Sequence, residues 1–216
     1  MNILALETST NACSVALQNK DEVTYLHKIA PMQHTKLILP MIHELLNSAS
    51  LTLDQLDAIA YGRGPGSFTG IRIASSVAQG LGFAANKPLI PLSSLTIYAQ
   101  TAYLEKHYES VLVAVDARMG QIYWAQYEAA SGIMKLCGEE SVCAPHEVYP
   151  VALKLWQGIG DAWEVYYDQL VKALGDKPNS IQNIFPNAKA MLPLARIKFE
   201  TGECVDASVA IPVYLR

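Results

Sequence analysis

The chain has 216 residues, enough for one large domain or for two small lobes with a buried core. Hydrophobic residues make up 51% and charged residues 17% of it, which favours a compact globular protein over a disordered one. The formal net charge is −4, so we expect no independent binding to DNA or RNA, which requires a basic surface.

Cysteine spacing and apolar runs limit the remaining classes. The four cysteines (Cys13, Cys137, Cys143 and Cys204) form no CxxC pair, so we expect unpaired thiols and neither a zinc site nor a redox dithiol. The opening MNILALETST has no basic segment and reaches Glu7 after a short apolar run, unlike a signal peptide. No apolar run approaches the roughly 20 residues that span a bilayer. The sequence therefore predicts a cytoplasmic protein without membrane contact.

The chain opens with a predicted meander of strands. Residues 3–17 are read as two strands around the polar turn 7–11, and Val23–Ala30 as a third strand. The turn is dense in hydroxyls and carries the Glu7 carboxylate. Two interpretations stay open for it: a loop that binds phosphate or metal-bound water, and a well-capped hairpin. Residues 33–47 follow as a predicted helix that Pro40 starts or kinks.

The stretch from Gly62 to Gly82 is the most distinctive in the chain. A predicted strand, Ala58–Tyr61, leads into the glycine-rich loop Gly62–Gly66, and Ser67 or Thr69 is positioned to cap the helix that follows. Along this helix one small residue recurs every fourth position, as Gly70, Ala74, Ala78 and Gly82. The loop favours an anion at the helix N-terminus. The ridge of small residues favours a second helix packed at close range.

The second half repeats the opening design. Val111–Ala129 is again an apolar strand, an acidic turn and a second strand, and Asp116 stands 109 residues after Glu7. We interpret this as an internal duplication that produces two related lobes. Before it, Pro88 and Pro91 bracket a short strand, and Ser93 and Ser94 precede a helix to about Glu105. After it we predict, in order, a helix over Glu147–Trp156, a glycine turn at Gly158–Gly160, a helix over Ala162–Ala173, a short strand in IQNIF, a helix over Asn187–Glu200 and an extended tail.

Several catalytic motifs are absent from the sequence. The glycine loop lacks the Walker A lysine, and Thr69 occupies the place of the third glycine in GxGxxG. No serine stands in GxSxG. No two of the five histidines are four residues apart, which excludes helical HxxxH or HExxH metal sites. Glu7 and Asp116 remain the carboxylates on turns that could face a cleft.

With these residues laid out, the chain resembles the bacterial TsaB (YeaZ) family. The matching segments, spread from end to end, are ILALETSTNACSVAL, HTKLILPMI, GRGPGSFTGIRIASSVAQGLG, PLSSL, VDARMGQIYWAQY and PVYLR. The resemblance implies an α/β fold of the two-lobed actin-like ATPase (ASKHA) type, built from a duplicated strand-turn-strand plus helix unit. It places an N-terminal lobe at residues 1–105 and a C-terminal lobe at 106–216, with a return of the last strand or helix onto the first lobe left open.

The resemblance also implies a function. TsaB proteins are shortened paralogues of TsaD, the subunit that transfers threonylcarbamoyl to adenosine 37 of tRNAs reading codons that begin with A. TsaD relatives carry an HxxxH metal motif, and the corresponding region here, SSLTIYAQTAYLEKH, has only His107. We therefore expect a non-catalytic partner of a TsaD-like subunit, with no metal. The glycoprotease label that relatives have carried is not expected to apply. The alternative is a nucleotide-dependent hydrolase or phosphotransferase.

The expected assembly follows from the same resemblance. A TsaE-like ATPase belongs to the same complex, tRNA is bound only through the complex, and a homodimer forms when the chain is alone. No cofactor is expected, although ATP or ADP at the subunit junction is left open. The partner interface is placed on two helices, at Thr35, Ile38, Leu39, Ile42, Leu45, Gly70, Arg72, Ala74, Ser75, Ala78, Gln79 and Gly82. A vestigial nucleotide site is placed at Glu7, Thr8, Ser9, Gly64, Gly66, Ser67 and Asp116. The alternative for the small ridge is packing against the protein's own sheet.

Overall fold

The computed structural model describes residues 1–150 and 154–215. The chain divides into two compact units, one formed by Met1–Ile97 with Pro186–Val213, the other by Tyr98–Phe185 with Tyr214 and Leu215. Within the described ranges, no helix combines the length and the apolar content needed to cross a membrane.

Each half of the chain begins with three consecutive strands, and helices follow among the later strands. The first elements are β1 (Asn2–Glu7), β2 (Ala12–Asn19), β3 (Glu22–Ile29), α1 (His34–Ser48), β4 (Ala58–Gly64), α2 (Phe68–Ala85), β5 (Leu89–Ser93) and α3 (Ser94–Lys106). The remaining ones are β6 (Ser110–Arg118), β7 (Gln121–Ala130), β8 (Ile133–Cys143), β9 (Gln157–Ile159), α4 (Ala162–Val165), α5 (Tyr167–Leu174), β10 (Ile181–Gln182) and α6 (Ala188–Glu200).

The first unit is built on a five-stranded sheet in the order β3-β2-β1-β4-β5. The first three strands form an antiparallel meander, whereas β4 and β5 run parallel to β1. The apolar run of β1 is buried on both faces, as its sequence predicts. The apolar sides of α1 and α2 pack in one core with β1, β2 and β4, and α6 contacts β1 and β2.

The second unit repeats this topology. Its sheet has the order β8-β7-β6-β9-β10. Strands β6, β7 and β8 form an antiparallel meander, whereas β9 and β10 run parallel to β6. Strand for strand, this is the arrangement of the first sheet. The predicted duplication and the predicted α/β fold in two units are thereby confirmed. Glu7 ends β1, and Asp116 lies near the end of the equivalent strand β6.

Sequence patterns in the second unit were less informative. The predicted helix Glu147–Trp156 is wrong where the chain is described: Pro145–Glu147 is a single 3-10 turn, and residues 148–150 are irregular. Its positions 151–153 lie outside the described residues. Pro150 disfavours helical geometry in the residue before it. The predicted turn at Gly158–Gly160 is wrong for its first two residues, because Gln157–Ile159 is strand β9, and the chain bends only at Gly160.

Other boundaries also differ from the prediction. Strand β8 carries no distinct pattern and was not predicted. The predicted helix Ala162–Ala173 is two helices, α4 and α5, that meet at Tyr166. The strand in IQNIF has two residues, and the tail contains a 3-10 turn at Ala207–Val209.

The segment that contains α6 belongs to the first unit although it lies near the C-terminus. Asn187 caps α6 by accepting the Lys189 N–H at 3.0 Å. Ser14 on β2 accepts the Ala188 N–H at 2.9 Å, which joins α6 to the central sheet. The division between the units lies within α3, after Ile97, and the boundary predicted at residue 105 lies at the end of that helix.

Candidate functional site

The turn between β1 and β2 lies beneath the glycine loop. Glu7, Thr8 and Ser9 are buried there. One carboxylate oxygen of Glu7 accepts the Ser9 N–H in a short hydrogen bond, and the other accepts the Ser94 hydroxyl at 3.4 Å. The carboxylate is therefore held between the turn and the start of α3.

Enclosure of the Glu7 carboxylate changes its acidity. Burial raises the pKa of Glu7 above its ordinary value of 4.5, while the hydrogen bonds from Ser9 and Ser94 act in the opposite direction. Gly62 makes this arrangement possible, because a Cβ at that position would overlap the carboxylate. The glycine at position 62 thus provides room for a protein side chain.

Backbone N–H groups at the end of the glycine loop and the start of α2 form hydrogen bonds within the chain. The Ser67 N–H donates to the Ser9 carbonyl at 2.8 Å, and the Gly70 N–H donates to the Ser67 hydroxyl at 3.4 Å. Thr8 donates its hydroxyl to the Gly70 carbonyl at 2.7 Å. Two donors that an anion would use at this helix N-terminus are therefore engaged by the β1–β2 turn and by the capping serine.

Gly64 closes the loop from its other side. Its φ of +98° lies in a region that favours glycine, and its peptide bond to Pro65 is cis. A Cβ at Gly64 would lie 3.0 Å from the Val213 carbonyl oxygen, while the Val213 N–H donates to the Arg63 carbonyl at 2.8 Å. The C-terminal segment therefore packs directly against the loop.

Of the predicted nucleotide site, Glu7, Thr8, Ser9, Gly64, Gly66 and Ser67 lie in the first unit, whereas Asp116 lies in the second. Asp116 accepts the Arg118 N–H at 2.8 Å and forms an ion pair with that side chain at 3.0 Å. Its own N–H donates to the Asp161 carboxylate at 2.9 Å. Within the second unit, the structure thus brings together Asp116 and a carboxylate that the sequence analysis missed.

Asp161 follows strand β9, which pairs in parallel with β6. Burial raises the pKa of Asp161 above its ordinary value of 3.8, and the nearby Asp116 charge raises it further, against the opposing hydrogen bond from the Asp116 N–H. The signal in the sequence was Gly160-Asp161 at the carboxyl end of a strand, which was interpreted as a simple turn. Over residues 1–150 and 154–215, no cluster of three His, Cys, Asp or Glu side chains could hold a metal ion.

The predicted interface on the small-residue ridge requires correction. Ala74 and Ala78 are fully buried in the core of the first unit. A Cβ at Gly70 would overlap the Thr8 carbonyl, and one at Gly82 would lie 2.7 Å from the Leu89 side chain. The ridge therefore packs against the protein's own sheet and the β1–β2 turn. Ser75, Ile38, Ile42 and Leu45 are buried as well.

The opposite side of α2 is exposed. Phe68, Arg72, Ser76 and Phe83 follow one another at helical spacing, and Phe83 is 85% exposed. Between this stripe and α1 lies a mostly apolar groove of about 360 Å³. Its lining residues are Thr35, Ile38, Leu39, Phe68, Thr69, Arg72, Ile73, Ser76 and Val77. Of the predicted interface, Thr35, Leu39 and Arg72 are exposed and Gln79 is half-buried.

We refer to this surface, the groove together with Phe83, as the α1–α2 face. Arg72 stacks on the ring of Phe68 at 3.3 Å from its centroid, which presents a cation and an aromatic ring side by side. Such a surface suits a helix that carries apolar side chains flanked by polar ones.

Sequence comparison places the chain among known proteins. The profile of a family described as TsaD, tRNA N6-adenosine threonylcarbamoyltransferase, matches residues 25–199. The tRNA threonylcarbamoyladenosine biosynthesis protein TsaB of Escherichia coli (strain K12) is 41% identical over 220 residues, covering 100% of this chain and 95% of that protein. The chain belongs to the TsaB family. The TsaB protein of Haemophilus influenzae is 39% identical, covering 100% of this chain and 94% of that protein.

Solved structures agree with the TsaB assignment. YeaZ from Pseudomonas aeruginosa is 41% identical and superposes with a TM-score of 0.93, with 99% of each chain covered. A crystal structure of an uncharacterised protein with similarity to peptidase YeaZ, also from Pseudomonas aeruginosa, is 42% identical with a TM-score of 0.93, covering 100% of this chain and 99% of that one. The resemblance to the TsaB (YeaZ) family is thereby confirmed.

Proposed function

We propose that this chain acts in tRNA threonylcarbamoyladenosine biosynthesis as the partner subunit of a TsaD-like threonylcarbamoyltransferase, without chemistry of its own. The observation that carries this proposal is the α1–α2 face. It exposes apolar side chains from two neighbouring helices, including Leu39 at 53% and Phe83 at 85% exposure. Exposed apolar patches that surround a groove are typical of protein interaction sites.

The chemistry of the glycine loop supports a role without catalysis. Backbone donors at the start of α2 are engaged by Ser9 and Ser67, and the Glu7 carboxylate is enclosed by protein groups. The sequence has no histidine pair at HxxxH spacing. A TsaD-like partner would supply the metal-dependent step, and the net charge of −4 is consistent with tRNA held by the complex.

The same face supports the proposed assembly. A groove that receives a helix of the TsaD-like partner can receive α1 or α2 of a second copy when the partner is absent, which would give a two-fold dimer. Formation of the heteromeric complex and of this dimer would then compete. We also propose that a TsaE-like ATPase joins the complex through the TsaD-like subunit, and that any ATP or ADP is held at the subunit junction.

The test is a substitution on the exposed side of α1. Leu39→Glu places a charge inside the apolar groove while leaving the core untouched, so we expect binding to the TsaD-like partner to weaken at least about tenfold, equivalent to about 1.4 kcal/mol. Affinity is measured by titration calorimetry with the purified partner, and threonylcarbamoyladenosine formation in reconstituted complexes is measured alongside it.

The matched control is Val165→Glu, which makes the same kind of change at an exposed apolar residue of the second unit. It should leave binding and product formation unchanged. Unaltered binding by Leu39→Glu would remove the α1–α2 face from the interface. Ala78→Arg would test folding instead of docking, because Ala78 is fully buried.

The alternative function, a nucleotide-dependent hydrolase or phosphotransferase, is separated by an assay on the chain alone. The Asp116 and Asp161 carboxylates are the groups on which such activity would depend. We expect ATP turnover no higher than that of an Asp116→Asn variant. Clear turnover that this substitution abolishes would contradict the role without catalysis.

A further inference from the structure

Strand β3 forms an open edge of the first sheet. It pairs with β2 over its whole length and stands at the end of the strand order. Glu22, Val23, Thr24 and Tyr25 are all exposed, so both faces of its first half reach solvent. An edge strand with exposed backbone and β-prone side chains is a template for pairing with another strand.

The direction of the outward backbone groups follows from the β2–β3 ladder. The Ala30 N–H donates to the Asn11 carbonyl at 2.9 Å, so positions 30 and 11 form a hydrogen-bonded pair. Such pairs alternate along an antiparallel ladder, which turns the even-numbered residues of β3 toward β2. The odd-numbered positions, Tyr25 at their centre, therefore direct their N–H and C=O groups outward.

We propose that β3 pairs antiparallel with β3 of a second copy of this chain, with Tyr25 opposite its own counterpart on the two-fold axis. In this register Tyr25 exchanges two backbone hydrogen bonds with the Tyr25 of the other copy. The two five-stranded sheets join into one continuous sheet. The side chains of Val23 and Tyr25, which are half exposed in the single chain, become neighbours across the axis.

The charge pattern of β3 fits this register. When Tyr25 of one copy lies opposite Tyr25 of the other, Glu22 of each copy lies directly opposite Lys28 of its partner copy. The two-fold axis therefore produces two Glu22–Lys28 pairs. Both residues are exposed and lie on the same face of the strand, because they are an even number of positions apart. They also occupy non-hydrogen-bonded positions, where opposite Cα atoms are only about 4.5 Å apart. Opposite charges at such positions stabilise the pair.

The equivalent edge strand of the second sheet, β8, offers a contrast. Strand β8 contains Gly138 with a φ of +85°, pairs with β7 through a register shift, and carries Glu139 and Glu140 in succession. Irregular geometry and clustered like charges discourage pairing between edges. Strand β3 has an uninterrupted register, no proline, and one charge of each sign near its two ends. A second copy of β3 is therefore the occupant that its charges favour.

Cysteine cross-linking tests the register. Tyr25→Cys places two thiols opposite each other with Cα atoms about 5.5 Å apart, within disulfide range. We expect mild oxidation to give a covalent dimer, measured on non-reducing gels. The matched control is Thr24→Cys, one position away on the other face, which would stand opposite position 26 and should not cross-link.

Both variants carry Leu39→Glu, so that pairing through the α1–α2 face does not contribute. The Leu39→Glu chain with only its four native cysteines sets the background.

A charge exchange tests the pairing independently. Adding Glu22→Lys to the Tyr25→Cys chain places lysine opposite lysine, and we expect cross-linking to slow about fivefold or more at low ionic strength. Adding Lys28→Glu to that variant restores opposite charges and should restore the rate. Glu139→Lys, the same change on β8, should have no effect. Cross-linking of Tyr25→Cys at the background rate, equal cross-linking of Thr24→Cys, or failure of the double exchange to restore the rate would each overturn the proposal. Because partner binding is measured separately, these results do not depend on the proposed function.

Discussion

At the scale of single residues, folding changes the surroundings of the Glu7 carboxylate, and burial raises its pKa. It is fully buried, and its charge is stabilised by the Ser9 N–H and the Ser94 hydroxyl. From the sequence alone, the β1–β2 turn has two interpretations, a loop that binds a ligand and a capped hairpin. In the structure the Glu7 carboxylate and the Thr8 hydroxyl are hydrogen-bonded to protein groups, which favours the structural role, although the buried Ser9 hydroxyl has no hydrogen-bond partner among the described residues.

Protonation of Glu7 should make stability depend on pH in a defined direction. The unfolded chain releases this proton near pH 4.5, whereas burial raises the pKa of Glu7 in the native chain. Between these two values the native state binds more protons, so this residue lowers stability as pH rises. We expect the free energy of unfolding of the wild type to fall with pH relative to Glu7→Gln. Urea titrations over a pH series above 4.5 measure the difference. A difference that stays constant or grows in favour of the wild type would contradict this.

At the scale of one element, α2 has two sides that the sequence does not distinguish. The small residues Gly70, Ala74, Ala78 and Gly82 predict close approach, but the approaching surface can be another protein or the same one. Here Gly70 meets the Thr8 carbonyl and Gly82 meets Leu89. Those neighbours come from distant parts of the sequence, so only the folded structure identifies them.

Two glycines of α2 should respond oppositely to alanine. Gly70→Ala forces a Cβ into the Thr8 backbone, and we expect a net loss of about 1–2 kcal/mol because overpacking exceeds the gain in helix propensity. Gly80→Ala meets no heavy atom within 4 Å and should stabilise by about 0.5–1 kcal/mol. Chemical denaturation measures both. Equal effects from the two substitutions would show that the ridge is not tightly packed.

Elements with a regular apolar pattern were predicted well from the sequence, and elements without one were not. Strands β1 and β6 contain continuous apolar runs, β2 is mostly apolar, and α1, α2 and α6 have helical apolar periodicity, so each was predicted. Strand β8 was missed because Gly138, Glu139 and Glu140 interrupt its alternation. Asp161 was missed for a related reason. It follows strand β9, which has only three residues, and so short a strand shows no recognisable sequence pattern. The catalytic or non-catalytic character of the site depends on such contacts rather than on local sequence.

At the scale of the whole molecule, the two units have separate cores and can be followed separately. All three tryptophans, Trp124, Trp156 and Trp163, lie in the second unit, and the last two pack at 5.4 Å between ring centroids. Tryptophan fluorescence therefore reports on the second unit, whereas far-ultraviolet circular dichroism reports on both.

Gly70→Ala should separate the two signals. Because it perturbs the core of the first unit, we expect the dichroism midpoint to shift to lower denaturant, while the fluorescence midpoint moves less. Both signals are recorded in the same urea titration, with the wild type as reference. Equal shifts by both probes would mean that the units unfold as one cooperative body.

The first unit can complete its fold only after the C-terminal segment has been synthesised. Residues 186–213 supply α6, the bridge between Leu89 and Val205, and the Val213 contact with the glycine loop. None of these contacts exists while the ribosome is still translating the second unit. The first ninety or so residues must therefore remain incompletely packed during translation, and the lobe that starts first is completed last. A premature stop near the 3′ end of the coding sequence would damage the N-terminal lobe.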